Sequence, residues 1–312
     1  VQTRYRFRWL MIVIALSLGL LGLKYGLWGI MRGGARIVEG PGGFMKDNNG
    51  FALGLNMGIP LLVGVALTEK QRWIKVSCGI LVMFTMLSVF FTFSRGGLVT
   101  LIVVGAGLVF RSGKPILAVL LLALGVGGFV TLSSSETIST YMDRAETIGE
   151  YEEDRSAMGR IEAWKTALRI ARDKPLFGAG PDNFMVVYLN YSDNDERRVA
   201  HNAFLQLLAE TGLPAASMWV ALILITLVRL QVLTHAHKGT DLSIYARSLQ
   251  LSILAYVIGG LFLDKAYFDL FYHLAAMSVS LEIVAAATVP ERRTTTVPET
   301  LPWWKQPQGA TG

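Results

Sequence analysis

The chain has 312 residues, of which 52% are hydrophobic and only 17% charged. Soluble domains carry about 25% charged residues, so this composition excludes an ordinary soluble protein. The net charge of +6 comes with no soluble basic domain and no pattern of stacking aromatic residues, so we expect no nucleic-acid partner. The single cysteine, Cys78, excludes an internal disulfide.

Apolar runs along the chain approach the roughly 20 residues needed to cross a hydrocarbon core about 30 Å thick. We predict about eight transmembrane helices, at Leu10–Met31, Asn49–Leu67, Trp73–Phe93, Gly97–Phe110, Pro115–Leu132, Pro214–Leu233, Ser248–Leu263 and Tyr267–Ala287. The fold class is therefore an all-α, polytopic membrane protein. Its predicted divisions are helices 1–5 (1–132), a long loop (133–213), helices 6–8 (214–287) and a disordered tail (288–312).

Basic residues predict the orientation. The short loops on one side, with both ends of the chain, hold 14 Lys and Arg residues, and the short loops on the other side hold 5. Because the basic side faces the cytoplasm, both termini are expected there. The long loop is then expected to face outward, which in a Gram-negative cell is the periplasm, and the protein is expected in the inner membrane.

The long loop is expected to contain short helices. Apolar residues recur at helical spacing from about Arg160 to Arg172, and Pro175 ends that helix. A second short helix is expected over Asn202–Thr211, closed by Gly212 and Pro214. Both helices would lie at the periplasmic surface of the inner membrane.

The first candidate site is Ser94-Arg95-Gly96-Gly97, at the outer end of the third predicted span. A guanidinium is a planar fork that matches phosphate, and Gly96 and Gly97 would let a phosphate approach the backbone. The alternative is an interfacial arginine that extends to the membrane surface and caps a tight turn.

Two further candidates lie in the outer segment. Arg160 opens the amphipathic helix that also holds Trp164, and its guanidinium would reach a ligand at the membrane surface; the alternative is a solvated charge near Glu162. His201 begins a short helix beside Asn202, and an imidazole pKa near ambient pH suits proton transfer. The alternative for His201 is a capping or interfacial ring.

Two weaker features lie inside the predicted spans. Lys24 is a charge in the first span, where it must extend to the surface or pair. Asp269 and His273, four residues apart, would form a proton relay or a buried hydrogen bond. No CxxC, HExxH, DxD or Walker motif is present, so we predict no metal and no cofactor.

The three motifs, in this order and spacing, resemble the O-antigen ligase and polymerase superfamily. Two further stretches, Gly40-Pro41-Gly42-Gly43-Phe44 with Asp47-Asn48-Asn49, and Thr147-Ile148 with Tyr151 and Asp154, resemble its exosortase-A-associated branch of O-glycosylation ligases. That branch often has Ser after the motif histidine, where this chain has Asn202. The superfamily's members have more helices than eight, which implies further helices beyond this chain.

The resemblance implies a metal-independent transferase that moves a glycan from undecaprenyl pyrophosphate to an acceptor hydroxyl of a lipid, glycan or protein at the periplasmic face. It implies that His201 is the catalytic base and that Arg95 and Arg160 stabilise the leaving pyrophosphate. The candidate substrate-binding residues are Gly96, Gly97, Lys24, Trp164 and Asn202.

Three alternatives remain. A polymerase of the same superfamily would use the same residues with another lipid-linked glycan as acceptor. A polytopic transporter would need polar residues at the bilayer midplane, and the predicted spans are nearly free of them apart from Asp269 and His273. The third is a purely structural scaffold.

Overall fold

The computed structural model describes residues 2–112, 158–193 and 195–288. These residues form helices, without a strand; the only β-type pairing among them is one isolated bridge between Glu39 and Asp47. The helices are α1 (Arg4–Met31), α2 (Asn48–Thr68), α3 (Arg72–Phe91), α4 (Arg95–Ser112), α5 (158–173), α6 (Phe184–Val187), α7 (Ala203–Ala236), α8 (Asp241–Gly260) and α9 (Asp269–Thr288).

Six of these helices are long and apolar enough to cross a membrane, and α4 is a shorter apolar helix. The prediction of an all-α, polytopic membrane protein is therefore confirmed. The predicted span Pro115–Leu132 lies outside the described residues, so the count of eight spans stays a prediction. The seventh span was placed too late: α8 begins at Asp241 because its polar first half is buried, with the Ser243 hydroxyl donating to the Thr234 carbonyl at 3.0 Å.

Helix α2 lies at the centre of the bundle and is buried along most of its length. Its neighbour α1 packs on α3 through a stripe of glycines. At Gly22 an added Cβ would collide with Thr85, including its Cα at 2.7 Å, and the Ser88 hydroxyl donates to the Gly22 carbonyl at 2.7 Å. Small residues allow close helix approach in lipid, where packing and interhelical hydrogen bonds drive association.

The loops gather at two ends of the bundle. At the lower end, Arg8 forms a two-pronged pair with Glu69 at 2.7 and 2.8 Å, so α1 is joined to the end of α2. At the upper end, Lys265 pairs with Asp47 at 2.5 Å, and the Asn202 side chain donates to the Leu261 carbonyl at 3.3 Å. These upper-end contacts bring the α1–α2 loop, the start of α7 and the α8–α9 loop together.

Candidate functional site

The candidate site is built around His201 at the upper end. His201 is half-buried and has a positive φ of 48°, in the left-handed region that non-glycine residues rarely adopt. The next residue, Asn202, caps α7: its side-chain oxygen accepts from the Phe204 and Leu205 N–H groups at 3.0 and 3.1 Å. His201 is therefore held just outside the helix by a cap that fixes the backbone on its C-terminal side.

Burial lowers the pKa of His201, and the positive charges of Arg160 and Arg198 lower it further, while Asp264 acts in the opposite direction. The ring therefore stays neutral, and able to accept a proton, down to a lower pH than an exposed imidazole does. The largest cause of the lowered pKa is burial, followed by these three charges.

Asp264 is a site residue that the sequence analysis missed. It lies in the short α8–α9 loop, where burial raises the pKa of its carboxyl, while Lys265 and His201 favour its charged form. Among the described residues no hydrogen bond joins the Asp264 and His201 side chains. An acidic residue in a short upper loop was the available signal, but the sequence does not show that this loop returns to His201.

Arg198 is the second site residue that the sequence analysis missed. Its guanidinium lies against Gly159 at the start of α5, where an added Cβ would collide with it. Arg198 pairs with Glu196 at 2.7 Å, and its Nε is buried without a hydrogen-bond partner among the described residues. Because Gly159 precedes Arg160, the Arg198 guanidinium lies next to the backbone of Arg160, and both arginines are close enough to His201 to lower its pKa.

Trp164 fixes the segment that leads into His201. Its indole N–H donates to the Ala200 carbonyl at 3.0 Å. Helix α5 also buries Ala163, Ala167 and Ile170 in a small apolar cluster that includes Ala200. Trp164 therefore has a positioning role in the structure, and its predicted contact with substrate stays a prediction.

A break in α7 attaches this segment to the membrane helices. Gly212 has φ 77° and ψ 176°, so α7 is two helices joined at a kink, the place where Gly212 and Pro214 predict an end. The kink leaves backbone groups of α7 without partners in the helix, and the turn after α5 forms hydrogen bonds with them. The N–H groups of Ala179 and Gly180 donate to the carbonyls of Ala209 and Glu210, and the Leu213 N–H donates to the Pro175 carbonyl, all at 2.8–2.9 Å.

Glu210 is buried beneath this turn. Its Oε1 accepts from the Phe184 N–H at 3.3 Å and lies 3.5 Å from the Gln206 amide nitrogen. The Gln206 side chain in turn accepts from the Ala266 N–H at 3.3 Å. The Glu210–Gln206 pair thus links the turn, α7 and the loop that holds Asp264.

Ser94, Arg95, Gly96 and Gly97 form the turn into α4 at the same end. The Ser94 hydroxyl donates to the Asn49 side chain at 2.7 Å and accepts from the Gly97 N–H at 3.1 Å, so it caps α4. An added Cβ on Gly97 would lie 2.7 Å from the Ala52 Cβ, and one on Gly96 would lie 3.1 Å from the Phe262 Cβ. The glycines allow close helix packing, and the exposed residue of the motif is Arg95.

The remaining predicted residues have other surroundings. Lys24 is exposed on α1, its ammonium 5.4 Å from the centre of the adjacent Tyr25 ring, and no described contact joins it to His201. Asn202 uses its side chain for the cap and for the Leu261 carbonyl. His273 is hydrogen-bonded through Nδ1 to the backbone carbonyl of Asp269 at 2.8 Å, so the described contacts do not join its ring to that carboxylate.

A pocket of about 600 Å³ opens beside Arg198. It lies between the start of α5 and the segment before His201, and its lining is mostly charged: Met158, Gly159, Ile161, Glu162, Lys165, Asp195, Glu196 and Arg198. Arg198 is therefore shared between this pocket and His201.

Comparison with known families matches part of the chain. Residues 78–220 match the O-antigen ligase family model, Wzy_C. The match includes Arg95, Arg160 and His201, and it supports the superfamily that the three motifs predicted. It does not test the exosortase-A-associated branch, which stays a prediction. Comparison with curated proteins gives no match.

Proposed function

We propose that this protein is a membrane glycan ligase that transfers a glycan from undecaprenyl pyrophosphate to an acceptor hydroxyl at the periplasmic face of the bacterial inner membrane. One observation carries the proposal. In the segment similar to O-antigen ligases, a half-buried histidine with a lowered pKa lies beside Arg160, Arg198 and Asp264. A neutral base next to guanidinium groups is what glycan transfer from a pyrophosphate requires.

The donor's bond between sugar C1 and the pyrophosphate oxygen breaks, and the electron pair leaves with the pyrophosphate. Negative charge grows on that oxygen, so fixed cations stabilise the transition state more than the ground state. Arg95 and Arg160 have this role in the proposal, and Arg198 adds a third guanidinium. Because these side chains supply positive charge, we propose that no metal ion takes part, and EDTA should leave the rate unchanged.

The acceptor oxygen bonds to C1 and gives its proton to His201. The lowered pKa keeps the ring neutral before transfer, and Asp264 favours the imidazolium that forms. His201 is therefore the proposed general base, and Asp264 a positioning and electrostatic residue that acts through it. General-base catalysis is typically worth about 10²–10⁴-fold.

The test is glycan transfer by the full chain in proteoliposomes, with purified undecaprenyl-pyrophosphate glycan and acceptor. His201→Ala should lower kcat by about 10²–10⁴-fold and leave donor binding nearly unchanged. His235→Ala is the matched control, since that exposed histidine lies near the end of α7 far from the site. Unchanged turnover by His201→Ala would refute the proposed base.

The orientation has its own test. In a Cys78→Ala background, a cysteine at the exposed Asp195 should react with a membrane-impermeant maleimide in spheroplasts. Reaction only after lysis would place the segment in the cytoplasm and contradict a periplasmic site.

A further inference from the structure

The turn after α5 exposes large apolar side chains. Leu176 is 62% exposed and Phe177 83% exposed, although both lie in a turn outside the long membrane helices. Pro175 ends α5 and turns the chain, so the two residues form the tip. Tips that face water are usually made of small and polar residues, and this one follows two exposed basic residues, Arg172 and Lys174, with the exposed Asp173 between them.

The kink in α7 fixes the position of this tip. Leu213 N–H donates to the Pro175 carbonyl at 2.8 Å, and an added Cβ on Gly212 would lie 2.6 Å from the Leu176 carbonyl. Leu213, which is itself 55% exposed, is the first residue of α7 after the kink. The tip is therefore attached to the start of the membrane-crossing part of α7.

The surface below the tip is apolar. Residues 213–236 of α7 span about 35 Å at 1.5 Å per residue, close to a hydrocarbon core of about 30 Å. The exposed face of this part is a continuous row of apolar side chains: Met218, Leu222, Leu224, Ile225, Val228 and Val232. Leu176 and Phe177 therefore lie next to the upper end of this apolar surface.

We infer that the Leu176–Phe177 tip inserts into the lipid interface of the leaflet at the upper end. Apolar side chains with flanking basic residues are the composition that binds this interface, where the apolar part is buried and the charges meet lipid phosphates. The inserted tip holds α5, and with it Arg160 and Arg198, at the height of the lipid headgroups. The inference rests on the membrane-spanning fold and not on the proposed reaction.

The single, buried cysteine permits a direct test. In a Cys78→Ala background of the full chain in lipid nanodiscs, a nitroxide is attached to Phe177→Cys, and its collisions with oxygen and with a water-soluble nickel chelate are measured. Val228→Cys is the lipid reference and Asp195→Cys the water reference. Oxygen should collide with the Phe177 label at least several-fold more often than with the Asp195 label. The nickel chelate should collide more often with the Asp195 label than with the Phe177 label.

Two other outcomes would overturn the inference. A Phe177 label with the accessibility of the Asp195 label would place the tip in water. A Phe177 label that neither reagent reaches would place it beneath another part of the protein. A loss of glycan transfer alone would not decide the matter, since the collision measurement is independent of turnover.

Discussion

The lower end of the bundle and its upper end handle charge and backbone in different ways. At the lower end, Arg8 is neutralised by the buried Glu69, and Arg4 pairs with Asp241 at 2.8 Å. At the upper end, Arg160 and Arg198 lie beside a histidine and lower its pKa. Charge pairs are present at both ends, since Arg198 also pairs with Glu196 and Lys265 with Asp47, but the upper end in addition places two arginines where they lower the pKa of a histidine.

The backbone shows the same contrast. The non-glycine residues with positive φ in the described part of the chain are Phe93, Asp182 and His201, and all three lie in loops of the upper end. Such conformations cost about 1–3 kcal/mol each and cluster at functional sites. The bundle below contributes regular helices and close packing, and the strained positions lie where chemistry is proposed.

Of the variants that separate the two ends, Arg95→Ala is expected to have the largest effect. Arg95→Ala should lower kcat/KM about 100-fold or more, because removal of one donor to a developing negative charge typically costs about 3–4 kcal/mol. Arg95→Lys should lose at least about tenfold, since it keeps the charge but not the planar fork. Arg32→Lys, in the exposed α1–α2 loop, is the control. Near-normal transfer by Arg95→Ala would remove Arg95 from the site.

Two glycine variants distinguish the role of the α7 kink from the role of helix packing in the bundle. Gly212→Ala places a Cβ at φ 77° against Leu176, so it should detach the turn and lower transfer about tenfold or more, at a cost of roughly 1–2 kcal/mol for the left-handed backbone alone. Gly22→Ala should instead lower the thermal unfolding temperature, because its Cβ would meet Thr85. Gly79→Ala, which has open space around it, should change neither; equal effects of all three would contradict the distinction.

The charges around His201 should shift the pH profile in opposite directions. Asp264 raises the pKa of His201, so Asp264→Asn should move the acid limb of kcat to lower pH. Arg198 lowers it, so Arg198→Gln should move that limb to higher pH. Rates from pH 5 to 9 measure both shifts, and each variant is the control for the other. A shift in the same direction for both would show that the limb belongs to another group.

The smallest effect is expected at Lys24. Its side chain is exposed on α1 and no described contact joins it to His201, so Lys24→Gln should change the donor KM by less than about threefold, the scale of a screened, exposed charge. Titration of the donor at saturating acceptor measures it. A tenfold rise would restore the predicted substrate-binding role.

Much of the fold is predictable because the bilayer imposes a strong constraint on sequence. A helix must satisfy its own backbone in lipid, so long apolar runs predict α2 and α3 to within two residues, whereas α1 begins six residues before its predicted span. The prediction failed at the start of α8, where buried Ser243 has a partner on α7. A polar side chain that is satisfied by a neighbouring helix cannot be distinguished, in sequence, from one in a loop.

Local chemistry also predicted candidate site residues that lie in short motifs. Arg95, Arg160 and His201 were identified because each lies near the end of a predicted helix, and their roles stay predictions. Asp264 and Arg198 were not, because nothing beside them in the chain marks their role. Their importance comes from proximity to His201, which arises through Gly159, the kink at Gly212 and the α8–α9 loop.

The sequence by itself determined that this protein crosses a membrane as helices, and it located three polar motifs, one at the end of the third predicted span and two in the long loop. Only the tertiary structure decided which charges act on His201 and in which direction its pKa departs from that of an exposed ring. The physical reason is the separation along the chain over which each interaction acts. Hydrophobic periodicity and capping act within one helix, whereas desolvation and Coulomb interactions depend on distances between segments that are far apart in the chain.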